Sequence, residues 1–393
     1  MKKELLNTEI QEFINSNLNS DITKLLLKGV PFKAIDAKQI VEQIESKKRC
    51  LKKLPNWFNK ANIYYPNKLN IEQTSSETTA EYKASLVSGT KLIDLTGGFG
   101  VDTFYFAKKI DKITHCEINT ELSDIVNHNY KALNVSNIRC INENGIEVLK
   151  QVDQTFDWIY IDPSRRDNLK KKVFLIEDCE PNIKAHQALF LKYSKNVMIK
   201  TSPLLDLSAI LTEINHVKEI HIVASNNEVK ELLWIIERNF EGSPKVKTVN
   251  LKQIKSQFFE YVFNEEYSAN ATFSKPLSYL YEPNAAVLKS GGFNSVSESL
   301  KINKLHQHSH LYTSNALLDF PGRRFIIKTT LPFNKKSLSK ENISKANITT
   351  RNFPLSVDEI RKKLKIKHGG NVYLFFTTDI NDHKIIIVCS KVL

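Results

Sequence analysis

The chain is poor in the residues that staple small folds. Its 393 residues include 5 cysteines, 12 glycines, 12 prolines, 3 tryptophans and 2 methionines. The cysteines, Cys50, Cys116, Cys140, Cys179 and Cys389, are scattered and form no C-x-x-C. That spacing argues against a zinc ribbon or a disulfide framework and for a reducing, cytoplasmic setting. No run of 18 or more apolar residues occurs, so no membrane-spanning helix is expected. The opening MKKELLNTEIQEF is charged and amphipathic and lacks the apolar core of a secretory signal. No G-x-x-x-x-G-K-[ST] is present, which leaves a P-loop unsupported, and no internal repeat or low-complexity tract appears. An apolar share of 41% and a charged share of 25% are those of a globular protein, and the length suggests two to three domains.

Positive charge is what the chain has in excess, and it is unevenly placed. The net charge is +13, and residues 271–393 hold 19 Lys and Arg against 8 Asp and Glu, so 11 of the 13 charges lie in the last third. Such clustering is the footprint of a polyanion binder, although a lysine-rich surface alone would also produce it.

The most informative stretch is KLIDLTGGFGVDTFYFAKKIDKITHCE, from Lys91 to Glu117. It reads as a strand (92–95), a glycine turn from Thr96 to Gly100, a helix from Val101, a second strand (113–116), and an acid at its tip. Glycines let a ligand approach the backbone, and a carboxylate at that tip accepts hydrogen bonds from ribose hydroxyls. A nucleoside-bearing cofactor is the leading reading; an ordinary strand–helix turn is the plain one. A dinucleotide site wants G-x-G-x-x-G, but Thr103 stands three residues after Gly100, and Asp94 precedes the glycines. An acid there repels phosphate and suits a cation, so S-adenosyl-L-methionine fits better than NAD.

A second motif follows. Phe156 to Ile161 is an apolar strand that ends in Asp162-Pro163, with Ser164, Arg165 and Arg166 beyond. Ligands bind outside the carboxyl ends of parallel strands, so Asp162 is expected to face the same crevice as Gly98 and Glu117.

Several further stretches occur in order. They are EQTSSE (72–77), DLTGGFGVDTF (94–104), IDPSRRD (161–167), IKTSPLLD (199–206) and EVKELLW (228–234). YEPNAAVLKSG (281–291), HLYTS (310–314) and FPGRRF (320–325) complete them. In these the chain resembles the class I S-adenosylmethionine-dependent methyltransferases, and more narrowly the bacterial ones with a C-terminal THUMP-like domain. The resemblance implies a Rossmann-like α/β catalytic sheet, S-adenosyl-L-methionine as cofactor, and RNA as substrate. It implies cofactor binding by Asp94, Thr96, Gly98, Gly100, Asp102, Glu117, Asn144 and Asp162. It implies catalysis by Asp162, Pro163 and Arg165, substrate contacts from Arg165, Arg166, Arg323 and Arg324, and no metal. Two positions depart from the family pattern. Thr96 stands where the first motif commonly has glycine, and Asn144 where the adenine-contacting motif carries an acid.

Four segments are expected: a helical N-terminal domain (1–70), the Rossmann-like domain (71–270), a ferredoxin-like or connecting region (271–323) and a THUMP-like α+β domain (324–393). Strands are expected at 92–95, 113–116, 137–141, 156–161, 196–200, 219–223 and 257–263. The last segment should hold a strand near 324–330, a helix near 356–365, and two strands joined at Asn381-Asp382. The alternating His306, His308 and His310 would share one face of a strand, but nothing Cys-rich or acidic lies nearby in the sequence, which argues against a metal site. Arg323 and Arg324 read equally as phosphate contacts to substrate RNA and as a salt bridge between domains. Neither the Asp-Pro motif nor Lys200-Thr201-Ser202-Pro203 holds a cysteine, and Cys179 is expected in a helix, as packing. Direct in-line methyl transfer to RNA (rRNA or tRNA) is therefore expected. The alternatives are a methyltransferase of a protein or small molecule, and a non-catalytic RNA-binding protein.

Overall fold

The computed structural model describes residues 1–33, 35–165 and 176–392, and for Arg165 its backbone alone. They divide into two compact units, residues 1–217 with 233–241, and residues 218–232 with 242–393.

The first unit begins with short helices, α1 (Thr8–Ser16), α2 (Ile22–Lys28), α3 (Ala37–Lys53), α4 (Pro55–Phe58), α5 (Lys68–Gln73) and α6 (Glu77–Ser85). In α3, Ile40, Val41, Ile44 and Cys50 recur at helical spacing and are all buried. Asp36 caps it by accepting from Lys38 N–H. Glu77 is buried because it caps another helix: its carboxylate accepts from Asn56 N–H at 2.7 Å and from the Asn56 amide at 2.8 Å.

The strands that follow are β1 (Gly89–Asp94), β2 (Ile110–Cys116), β3 (Ile138–Ile141), β4 (Phe156–Ile161), and the two-residue β5 (Ser164–Arg165) and β6 (Cys179–Glu180). β7 (Ser194–Thr201) completes the set. β3, β2, β1, β4 and β7 are parallel and neighbours in that order. The connecting helices include α7 (Val101–Phe106), α8 (Thr120–Ala132) and α9 (Gly145–Gln151). Strand order reverses direction between β1 and β4, where a doubly wound sheet opens a crevice at its carboxyl edge. Asp94 and Asp162 end those two strands. Cys179 departs from expectation: it lies in β6, whose backbone pairs with β5, Arg165 opposite Cys179. A helix cannot form there because the segment is held as a ladder.

The second unit contains most of β8 (Val217–Ser225) and the start of β9 (Glu228–Glu237), which the chain enters through Asn226 and Asn227, both at positive φ. β10 (Lys245–Leu251) pairs parallel with β8 and antiparallel with β11 (Gln257–Val262). β9 and β10 were not expected. Leu232 to Ile236 form an unbroken buried apolar run, and a strand covered on both faces shows no alternation.

A second sheet holds β12 (Tyr279–Pro283), β13 (Asn303–Lys304), β14 (Tyr312–Ser314), β15 (Gly322–Pro332), β16 (Lys345–Thr350), β17 (Lys367–Thr378) and β18 (Lys384–Lys391). Their order is β13-β14-β12-β15-β18-β17-β16. β16 is a further addition to the expected elements. It runs parallel to β17, and the helix Val357–Leu364, closed by a Ser356–Glu359 capping box, makes the crossover.

Candidate active site

Three glycines after β1 have three different reasons to be glycine. A Cβ on Gly97 would lie 2.4 Å from the His115 ring. On Gly100, at φ +75°, it would lie 2.1 Å from the Tyr130 hydroxyl, which itself donates to the Gly100 carbonyl at 2.9 Å. Gly98, at φ +58°, has nothing nearer its Cβ position than the Thr96 carbonyl at 3.8 Å. So Gly97 and Gly100 are close-packed, while Gly98 offers bare backbone beside open space.

Glu117 is tied to that open residue. Gly98 N–H donates to its Oε2 at 2.8 Å and Asn119 N–H to its Oε1 at 2.7 Å. Each carboxylate oxygen has a lone pair left for another donor. The next residue, Ile118, is 69% exposed. Asn142 fixes this tip by donating its amide to the Glu117 and Ile118 carbonyls at 2.8 and 3.2 Å. Asn144 is exposed and caps α9, its Oδ1 accepting from Ile146 N–H at 2.9 Å. The cap uses one lone pair of that oxygen.

Asp94 lies beneath the loop. It is 1% exposed, accepts from Thr96 N–H at 3.0 Å and from the Thr103 hydroxyl, and its Oδ2 is 3.8 Å from His115 Nδ1. Burial pushes its carboxyl up to about 7 and the His115 imidazole down to about 3. The two shifts oppose each other in stability. Raising Asp94 favours the folded state fully below about pH 4, and the benefit is lost as pH rises through 7; lowering His115 adds stability as pH rises from 3 to about 6.5. Asp94→Asn removes the first effect alone. The variant should therefore gain on the wild type by a few kcal/mol between about pH 4 and 7, read from urea unfolding at several pH values. A constant difference across that range would show that Asp94 titrates elsewhere.

Thr96 links the loop to the second motif. Its hydroxyl accepts from Asp162 N–H at 2.7 Å. The side chain at Thr96 thus carries a contact that the glycine common at this position could not make. Lys200, at the end of β7, reaches Asp162 with Nζ 2.5 Å from Oδ2. Sequence reading missed Lys200 as a site residue, although it lay inside the matched stretch IKTSPLLD. Pro163 follows Asp162 before β5. The Arg165 side chain and all of Arg166 lie outside the described residues.

Asp102, on α7, is drawn into a buried network. Its Oδ2 accepts from the Ser75 hydroxyl at 2.8 Å and the Tyr160 hydroxyl at 2.7 Å, and its Oδ1 lies 3.2 Å from Lys83 Nζ. Burial acts to raise its carboxyl, but the Lys83 and Lys200 ammonium groups and these hydroxyls hold it below the usual range.

In the second unit, Arg323 and Arg324 open β15. Arg323 is bonded through its guanidinium to Glu282, which is 3% exposed, and Arg351 pairs with the other Glu282 oxygen at 3.0 Å. Arg324 donates to the Leu318 carbonyl at 3.3 Å. His306 pairs with Asp382 at 3.0 Å, while His310 stacks on Phe293 with ring centroids 3.6 Å apart. Among the described residues no three His, Cys, Asp or Glu side chains group as metal ligands, and no helix is long and apolar enough to cross a membrane.

Comparison with known proteins gives this geometry a context. Residues 279–321 match a family model described as "ferredoxin-like domain", and residues 322–391 one described as "THUMP domain-like". A crystal structure of a "putative methyltransferase" from Porphyromonas gingivalis W83 is 32% identical, with a TM-score of 0.91, over 100% of this chain and 99% of that one. This chain belongs to that methyltransferase family, with its C-terminal THUMP-like domain. Two further solved structures, one of them described as a putative methyltransferase, match a smaller part of the chain. SMU.1697c of Streptococcus mutans, in complex with SAH, is 15% identical over 40% of this chain and 95% of that one, with a TM-score of 0.30. An rRNA methylase from Streptococcus thermophilus is 14% identical over 40% and 93%, also with a TM-score of 0.30. No curated protein matches.

Proposed function

We propose that this methyltransferase transfers a methyl group from S-adenosyl-L-methionine to RNA, with rRNA or tRNA as acceptor. One observation carries the reading. Glu117, Gly98, Thr96 and Asp162 form a continuous hydrogen-bonded and covalent path along the carboxyl edge of β2, β1 and β4. A nucleoside-bearing ligand fits it. Glu117 would take the ribose hydroxyls, the bare Gly98 backbone would allow close approach, and exposed Ile118 would cover the base. When bound, S-adenosyl-L-methionine supplies an electrophilic methyl group already activated by sulfonium. The chain's own task is then to position the acceptor and exclude other geometries. Asp162, partly exposed beside the loop, would orient that acceptor.

Asp162→Ala should leave cofactor affinity nearly unchanged and slow methyl transfer by about 100-fold. Retained turnover would remove Asp162 from catalysis. The reading itself is tested with labelled S-adenosyl-L-methionine and total RNA from a strain lacking this protein. Label in one RNA species from that strain, absent from wild-type RNA, is the expected result. Tight cofactor binding without label would move the acceptor to protein or a small molecule.

RNA is favoured by the charge of residues 271–393. Lys362, Lys365 and Lys367 stand exposed around the end of the helix Val357–Leu364. Replacing all three with glutamine should weaken RNA binding and reduce the slope of log affinity against log salt by roughly 2 to 3. An unchanged slope would place RNA elsewhere.

A further inference from the structure

The sheet itself puts a lysine beside Asp162. β4 and β7 are parallel with Ile161 opposite Ile199. The next residue of each strand, Asp162 and Lys200, therefore leaves the carboxyl edge side by side. Their exposures are unequal: the Lys200 side chain is 12% exposed and the Asp162 side chain 36%. The ammonium is largely sheltered while the carboxylate reaches the open edge.

Both partners are anchored from behind. Trp234, fully buried, donates its indole N–H to the Thr201 hydroxyl at 2.9 Å, which fixes the end of β7 next to Lys200. Asp162 is fixed through its own N–H on Thr96. An exposed ion pair between two flexible side chains needs no such anchors and contributes little. Here the anchors serve one carboxylate at the edge where the glycine loop also ends.

We infer that Lys200 is a positioning residue for methyl transfer: it grips one oxygen of Asp162 and leaves the other for the acceptor group of the substrate. The inference rests on the methyl-transfer reading of the same site and deepens it. An ionised carboxylate only accepts hydrogen bonds. With Oδ2 held by Lys200, Oδ1 selects an acceptor that carries an N–H or O–H, which means an amine or a hydroxyl and not a bare ring nitrogen or carbon. The acceptor's lone pair forms the new bond to the methyl carbon, and the carbon–sulfur electron pair stays on sulfur. The proton the acceptor sheds is the one bonded to Oδ1, from which it passes to solvent.

The test compares Lys200→Met and Lys200→Arg with wild type. Calorimetry should give S-adenosyl-L-methionine affinities within about threefold of one another, since Lys200 bonds Asp162 while Glu117 is fixed by Gly98 and Asn119 N–H. Transfer of labelled methyl into total RNA from a strain lacking the protein should be about 30-fold slower for Lys200→Met, through kcat rather than KM. Lys200→Arg should recover most of that loss. A Lys200→Met enzyme at the wild-type rate overturns the inference. So does equal loss of transfer and cofactor affinity in both variants, which marks a merely structural lysine. Crystal structures of wild type and Lys200→Met with S-adenosylhomocysteine decide the matter without an acceptor. The Asp162 carboxylate should turn away in the variant, and one that stays in place overturns the positioning role. If wild type labels no RNA, the RNA reading fails, and the crystal comparison still decides the role of Lys200.

Discussion

Glu117→Ala should abolish S-adenosyl-L-methionine binding at any practical concentration. The carboxylate has both oxygens fixed before a ligand arrives, one on Gly98 N–H and one on Asn119 N–H. A pre-fixed acceptor loses little rotamer entropy when two ribose hydroxyls dock. Two hydrogen bonds to a charged group are together worth about 4 kcal/mol, close to a thousandfold in affinity. Alanine removes both and also frees Gly98, so the loop loses its pin as well as its ligand contact. Two controls separate these effects. Glu117→Gln keeps one oxygen acceptor and should lose less affinity than alanine. Thermal unfolding without ligand should change little for either variant, because Glu117 sits at the edge of the sheet and not in its core. Calorimetry showing wild-type affinity for Glu117→Ala would remove the ribose assignment.

The positions of Gly98, Glu117 and Asp162 were legible because a parallel strand announces its own end. Three apolar runs, 92–95, 113–116 and 156–161, stop at or next to an acid, and β1, β2 and β4 end within a residue of those points. What lies beneath the site was not legible. An acid in sequence looks the same whether it faces a ligand or the interior. Asp94 is buried by Thr103 and His115, and Asp102 by Lys83, Ser75 and Tyr160, partners between 9 and 58 residues away. Arg323 shows the same limit. Its partner Glu282 is 41 residues upstream and stands directly opposite on β12, a pairing that only strand register reveals. Lys200 was hidden for another reason. With 56 Lys and Arg in the chain, one more at a strand end carries no signal until its neighbour strand is known.

The largest loss of stability should come from Lys83→Met. Lys83 is fully buried, 3.2 Å from Asp102 Oδ1 and 3.0 Å from the Ser75 hydroxyl. Removing the nearer ammonium leaves this buried carboxylate to the Lys200 charge and the Ser75 and Tyr160 hydroxyls. Breaking a buried pair from one side costs about 3–5 kcal/mol. Urea unfolding at pH 8 should show that loss. The pH dependence then identifies its cause. In wild type, Asp102 has a carboxyl held below its ordinary range, so its contribution is present above about pH 4 and falls away only in stronger acid. In Lys83→Met, burial no longer opposed by that ammonium should raise the same carboxyl, and the folded state can then take up a proton that the unfolded chain does not hold. Relative to wild type, whose own pH trend includes the buried Asp94, the variant should therefore gain stability as pH falls from 8 towards 5, whereas loss of a simple packing contact would leave a difference that does not change with pH. Lys83→Met with Asp102→Leu removes both charges and should recover most of the deficit, since an apolar pair of similar volume replaces a buried ion pair at little cost. A double variant as unstable as the single one would mean that Ser75 and Tyr160, and not the charge pair, hold α6 against α7.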